Sequence, residues 1–404
     1  MEKQTKIISE NFLTSNIFMF ESFSCACVLE QLLSYPGQDS INTITICADK
    51  NSPVRFAYAS KDGLVRLNGD GSVAEHNILG KLLAIEKDAT DKYFSFFSKN
   101  GFLFPTALNK KESIGKVELH LIIDRLHATL ELMSTITDMS RTSYEKIVRM
   151  IFYHLFSPIV QVETKDGHYQ YVSSKHPYTV FLDDALNLGR DDRLNDTFNN
   201  STFSFIDTIT GITLDADFVD KTLNGNPPEE KYENSLFRKV FAAYCSPRNE
   251  MSKSKQIIND FLFHYLYEVG IVEQVDLDST YYLKGKVNKK NFNDDIKRAA
   301  LVVAKIIIKE EIECNLRRVR PTYDTTKLEP SWKIDSLLSA LYFGLFYMRP
   351  TMETYRRCAN SKCGEFFLVN VSSQKKKYCC TTCMNREMSA RKRARDRIKE
   401  TIDK

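Results

Sequence analysis

Five of the chain's ten cysteines fall within the 26 residues from Cys358 to Cys383, and this cluster constrains the fold more than any other feature. They read Cys358-x4-Cys363, then fifteen residues, then Cys379, Cys380 and Cys383. Two close thiol pairs joined by a short loop are what a closed, tetrahedral four-cysteine zinc site requires, each pair clamping the ion from one turn. The loop offers only Phe366, Phe367, Leu368, Val369 and Val371 as a core. Metal binding then has to supply most of its folding energy, about 10–16 kcal/mol for structural zinc at neutral pH. Cys358, Cys363 and Cys383 are three of the ligands, and either Cys379 or Cys380 closes the second knuckle. Cys25, Cys27, Cys47, Cys245 and Cys314 are scattered and read as small core residues.

Positive charge crowds the same region. Residues 351–404 hold 14 Lys and Arg against 6 Asp and Glu, a net +8, whereas the preceding 350 residues hold 42 against 46, a net −4. A basic end on a mildly acidic body is the signature of an appended nucleic-acid-binding element. The stretch after Cys383 has high helix propensity and is expected to form a helix. Arg386, Arg393 and Arg397 share one of its faces, with Arg391, Arg395 and Lys399 nearly opposite. A helix charged all round has little reason to pack on a core. Lys375, Lys376 and Lys377 add a second positive group. The expected nucleic-acid contacts are therefore Lys375, Lys376, Lys377, Arg386, Arg391, Arg393 and Arg395. Arg386, nearest the thiols and most rigidly held, is the residue expected to set sequence preference. Tyr355 and Tyr378 fit either base stacking or a core role.

The segment also resembles the CGNR zinc finger, a bacterial C-terminal module. The resemblance lies in Arg356–Cys358, Cys363–Phe367, Ser372–Lys377, Tyr378–Cys380 and the signature Cys383–Met384–Asn385–Arg386, over about residues 355–399. Met384 stands where that family has Gly, Cys380 where it often has Ser, and the second cysteine pair is one residue tighter. The resemblance implies that Cys379, which follows the aromatic residue, is the fourth ligand. It also implies that the basic helix runs over Glu387–Lys399 and that "WKIDSLLSALYFGLFYM" is an amphipathic lead-in helix. Upstream, the chain is loosely similar to the domain that accompanies such fingers and is linked to stress-induced transcription.

The body has an ordinary globular composition, 43% hydrophobic and 27% charged. The expected class is α+β: a helix-rich mixed α/β body, a small C-terminal four-cysteine zinc finger, and a basic helix. Three segments are expected: a mixed region over 1–110, a helix-rich region with short β segments over 111–350, and the finger with its helix over 351–404. Residues 1–350 are expected to fold without the finger. Within the first segment, helices are expected around Leu13–Leu33 and Ala89–Lys99. They flank strands at Ile41–Ala48, Val54–Ser60 and Leu64–Leu67, the first two separated by a turn at "DKNSP". Helical spacing of Val117, Leu121, Ile122, Leu126, Leu130 and Met133 predicts one long helix, and "SYEKIVRMIFYHLF" a second. A hairpin around Asp166–Gly167, a mobile polar loop over 185–227, a helical pair over 229–269, a strand pair near 272–285, and helices at 293–317 and 332–346 complete the reading.

The sequence contains no phosphate-binding Gly-rich loop, no H-E-x-x-H and no G-x-S-x-G. His120 and His127 share a helix face without companion ligands, and the acids around Asp183–Asp196 read as a solvated loop. Its apolar runs are shorter than the roughly 20 residues of a membrane span, and Met1–Phe20 has no uninterrupted apolar core of signal type. A cytoplasmic protein that does not engage membranes is expected, with Zn²⁺ as cofactor and nucleic acid as partner, DNA before RNA. The body would pair with a protein partner or with a second copy. The function expected is a zinc-dependent nucleic-acid-binding regulator of transcription or of stress or defence responses. The alternatives are a nuclease-like effector targeted by the finger, and a protein-interaction module.

Overall fold

The computed structural model describes residues 18–32, 41–59, 63–106, 111–137, 143–164, 169–173, 182, 201–283, 287–325, 328–348, 353–360, 362–370, 372–373 and 376–402. It confirms an α+β chain of helices and antiparallel sheets. Two compact units form, and they do not follow the three consecutive segments: one joins Met1–Asp138, Val160–Ser173 and Ile312–Lys404, the other Met139–Ile159 and Ser174–Glu311.

The first unit is built on a long antiparallel pair, β1 (Phe18–Leu32) and β2 (Ile41–Ala59). The helix expected over Leu13–Leu33 is thus a strand wherever it is described. Its Phe, Ser, Cys and Val residues suit a pleated surface, and pairing with β2 decides the outcome: Phe18 faces and stacks on Tyr58, and Phe20 on Phe56. The expected turn at "DKNSP" is a bulge within one strand. Phe23 faces Pro53 and Cys25 faces Ala48, so residues 49–52 leave the ladder opposite Ser24. Along its other edge β2 pairs with β3 (Gly63–Leu67) and, nearer its start, with β5 (Lys111–Gly115), while β4 (Val73–Glu75) extends the sheet from β3.

Three helices belong with this sheet: α1 (Ile78–Leu83), α2 (Thr90–Asn100) and α3 (Lys116–Thr137). The apolar repeat of α3 buries Leu119, Ile122, Leu126, Leu130 and Met133, although Val117, expected on that face, is exposed. The hairpin β6 (Gln161–Glu163) and β7 (Gln170–Val172) forms where expected, its tip outside the described residues. A second hairpin, β12 (Arg320–Asp324) and β13 (Glu329–Lys333), was not foreseen. It takes Trp332 out of the helix expected from that residue. Helix α9 (Leu337–Tyr347) starts after it instead, with the Ser336 hydroxyl accepting from the Ser339 N–H as its cap.

The second unit contains α4 (Tyr144–Phe156), β8 (Thr202–Phe205), β9 (Ile212–Asp215), α5 (Ala216–Leu223), α6 (Ser235–Tyr244), α7 (Lys253–His264), β10 (Val272–Val275) and β11 (Thr280–Tyr282). Helix α8 (Asp294–Asn315) crosses the unit boundary in sequence. The polar stretch expected as a mobile loop is a β8–β9 hairpin and a helix from residue 201 onward; 185–200 lie outside the described residues. A buried polar knot fixes the hairpin. Asp207 Oδ1 accepts three turn N–H groups, from Ile209, Thr210 and Gly211. Its Oδ2 takes the Tyr244 hydroxyl and His264 Nε2, each at 2.6 Å. The other His264 nitrogen meets Glu268, which sits on one turn of π-helix, Tyr265–Val269. Nearby, Arg248 grips buried Asp260 through both guanidinium nitrogens at 2.8 Å, and the Thr208 N–H and hydroxyl donate to the same carboxylate.

Burial alone would lower the His264 pKa, but the Asp207 and Glu268 carboxylates more than reverse this and raise it to about 9. A pKa raised on folding stabilises the fold fully below the ordinary value of about 6.5, and that contribution is lost as pH rises through about 9. The thermal midpoint of the wild-type chain should therefore fall between pH 6.5 and 9.5 more steeply than that of His264→Gln. Parallel profiles by circular dichroism would show that His264 is not held as the imidazolium.

Candidate metal centre

The thiols converge because a hairpin and a helix start meet. Strands β14 (Glu353–Arg357) and β15 (Phe366–Asn370) pair antiparallel, with Arg357 opposite Phe366. Cys358 leaves β14 and its N–H donates to the Glu365 carbonyl at 2.8 Å. Buried Asn360 then shapes the knuckle: its side-chain oxygen accepts from the Lys362 N–H, and its carbonyl from the Cys363 N–H. Gly364 follows at φ +65°, a left-handed turn that suits glycine. Opposite, Cys379 lies in the bend before α10 (Thr381–Ile402), and Cys383 sits in the first turn of that helix. The Ala359 N–H donates to the Lys377 carbonyl and ties the two halves together.

The sulfurs of Cys358, Cys363, Cys379 and Cys383 all lie within 4.8 Å of one another. Ligands at about 2.3 Å from one tetrahedral ion stand about 3.8 Å apart. Cys363 and Cys379 are separated by 3.7 Å, and Cys379 and Cys383 by 3.5 Å, so the donor set fits a single ion. Cys358 and Cys383 are buried against Phe367 and Val369, with Tyr378 packed on the cluster. Cys380 is exposed, so of the two adjacent thiols it is Cys379 that turns inward. Burial pushes the Cys363 thiol up to about 11 and raises Cys379 as well; coordination to a cation deprotonates such thiols outright.

This centre is anchored within its own unit. Asn77 adopts the left-handed conformation, φ 56°, that Asn tolerates better than most residues. Its amide nitrogen donates to Glu365 Oε1 at 2.7 Å and to the Phe366 carbonyl at 2.6 Å. The other Glu365 oxygen lies 3.9 Å from Cys363 Sγ. One turn on, a Cβ on Gly80 would stand 1.8 Å from the Phe366 carbonyl oxygen, so only glycine lets α1 approach β15 this closely. Phe366 also meets the His127 ring edge-on, Thr354 shares a hydrogen bond with Thr137, and Tyr355 is buried. Tyr355 is thus a core residue, and His127 packs on the finger. Neither Asn77 nor Gly80 carried a signal in the sequence, since their partners lie nearly 290 residues away.

The basic residues spread over two surfaces. Helix α10 begins at Thr381, six residues before the expected start, because its first turn carries Cys383. Arg386, Arg391, Arg393 and Arg395 are all exposed on it. Arg391 is engaged by Glu387 at 3.0 Å, and Arg395 reaches the Arg391 carbonyl. Lys376 and Lys377 are exposed on the loop, with Lys376 Nζ 5.5 Å from the Phe367 ring centre. Lys375 lies outside the described residues. Among the described residues, no helix is long and apolar enough to cross a membrane.

Two tests follow from the geometry. Cys379→Ser should lose bound metal or hold it far more weakly, while Cys380→Ser should keep it, as read by elemental analysis; the reverse pattern would assign the fourth sulfur to Cys380. Ending the chain at Met348 should strip the partners from Asn77 and Gly80 and bare the surface that Tyr355 and Phe366 cover. The shortened chain should aggregate or lose cooperative unfolding in its first unit. Unchanged cooperative melting would mean that the finger is a mere appendage. No family model, characterised protein or solved structure matches the chain; the chemistry is carried by the four sulfurs and the helix that starts among them.

Proposed function

We propose that Cys358, Cys363, Cys379 and Cys383 hold one structural Zn²⁺, and that the resulting finger presents α10 to nucleic acid. The chain then acts as a non-catalytic regulator, its remaining residues sensing a signal or holding a partner. The observation that carries this reading is the position of Cys383, at once one of the four converging sulfurs and a first-turn residue of the basic helix. An ion bound there fixes the direction in which the helix leaves the hairpin. Four protein sulfurs leave no open coordination position, which suits a structural ion rather than a catalytic one. The net +8 of residues 351–404 against −4 elsewhere supports a polyanionic target. The resemblance of Arg356–Lys399 to CGNR fingers supports the same reading, and DNA is the favoured partner.

Purified protein should contain one zinc per chain, and stripping it with a strong chelator should abolish binding to a labelled DNA duplex. If about five phosphates are neutralised, log K should fall against log salt with a slope of roughly −4 to −5. Fluorescence anisotropy across a salt series measures this. Absence of salt-dependent binding to both DNA and RNA would sink the nucleic-acid reading and leave α10 as a surface for another protein.

A further inference from the structure

A cleft of about 610 Å³ opens between the first cysteine knuckle and α10. Asn360 and Lys362 form one wall, and Thr382, Asn385, Arg386, Glu387, Ser389, Ala390 and Arg393 the other. Positions 382, 386, 389 and 393 recur at helical spacing, so one face of α10 lines it. Both walls grow directly from the converging sulfurs: Lys362 precedes Cys363, and Thr382 precedes Cys383.

The chemistry of the lining is one-sided. Lys362, Arg386 and Arg393 contribute three cations, and among the described residues no carboxylate pairs with any of them. Among the described lining residues Glu387 is the one acid, and its Oε1 already accepts from Arg391 Nε at 3.0 Å. Asn360, Thr382, Asn385 and Ser389 add neutral polar groups. Among the described residues, no aromatic side chain lines the cleft. Sites that hold unstacked bases rely on aromatic platforms, whereas sugar–phosphate contacts come from Arg, Lys, Ser, Thr and Asn. A cleft with converging cations, hydroxyls and amides and no stacking surface suits a phosphodiester backbone.

Resting on the nucleic-acid reading above, we infer that this cleft is a phosphate-backbone clamp in which Lys362, Arg386 and Arg393 contact successive phosphates. Arg386 then positions the chain on its target and does not read sequence, contrary to the expectation from its place beside the thiols. Lys362, not foreseen as a contact, joins the site. Arg391 and Arg395 lie outside the cleft and contribute through net charge.

The test uses the full zinc-containing chain and three labelled probes of mixed sequence: a 20-bp DNA duplex, the matching RNA duplex and a DNA single strand. Lys362→Ala, Arg386→Ala and Arg393→Ala should each weaken binding to the preferred probe by roughly fivefold at low salt. Each should also flatten the salt slope by about one. Arg391→Ala and Arg395→Ala should cost about twofold or less. Arg386→Lys, which keeps the charge, should recover most of the loss, and zinc content and melting temperature certify folding of each variant. Among duplexes of differing sequence, Arg386→Ala should weaken all alike. Larger losses from Arg391→Ala or Arg395→Ala, or a changed sequence preference in Arg386→Ala, would overturn the clamp while leaving nucleic-acid binding in place. Failure of the unaltered chain to bind any of the three probes would instead remove the reading on which the clamp rests.

Discussion

Four sulfurs within 4.8 Å of one another are a constraint that apolar packing alone does not explain. Thiols can crowd together as neutral groups, but two of the separations here, 3.7 and 3.5 Å, lie close to the roughly 3.8 Å between corners of a four-sulfur tetrahedron around one ion. The Asn360 turn, Gly364 and the start of α10 each bring a sulfur inward. That convergence ties together the hairpin, the knuckles and the start of the basic helix. Its small apolar cluster of Phe367, Val369 and Tyr378 is too limited to hold such an arrangement unaided.

The same centre is also part of something larger. Asn77 and Gly80 bring α1 against β15 so closely that a single methyl group would collide with the Phe366 carbonyl. Glu365 is held by Asn77 on one oxygen and approaches Cys363 with the other. The thiol cluster and the five-stranded sheet of the first unit are therefore linked through the Glu365 carboxylate and a short helix, alongside the contacts of Phe366 and Thr354 with α3. A cysteine that ligates a metal is oriented and tuned by the groups behind it, and behind Cys363 these are Glu365 and the Asn77 that holds it.

Local patterns were legible and non-local ones were not. The spacing of Cys358, Cys363, Cys379 and Cys383 marked the site, because metal ligands must recur at short fixed intervals. The apolar repeat marked α3, and the run from Asp294 marked α8. The strand β1 was mistaken for a helix because the spacing of its apolar residues suits either form until β2 is beside it. The hairpin β12–β13 was hidden by Pro321 and Pro330, both poor strand formers in general. The contacts of Asn77 left no trace, since nothing in "HNILG" announces a partner near the other end of the sequence. The place of Lys362 at the cleft was legible in principle, since it directly precedes Cys363 in the first knuckle.

The first unit is assembled from three separated stretches of chain, and this has a consequence for how the protein comes into being. On a ribosome the sheet and α1 emerge first, yet Asn77 waits for partners 288 and 289 residues downstream. Contacts between such distant residues form late, because a long loop must close before they are rewarded. The N-terminal sheet thus spends most of its synthesis with the surface meant for β15 bare, and the second unit, encoded between, has time to fold first. Convergence of the four sulfurs and closure of the first unit are then a single late event, so a chain interrupted before Cys383 lacks both the complete sulfur cluster and a finished core.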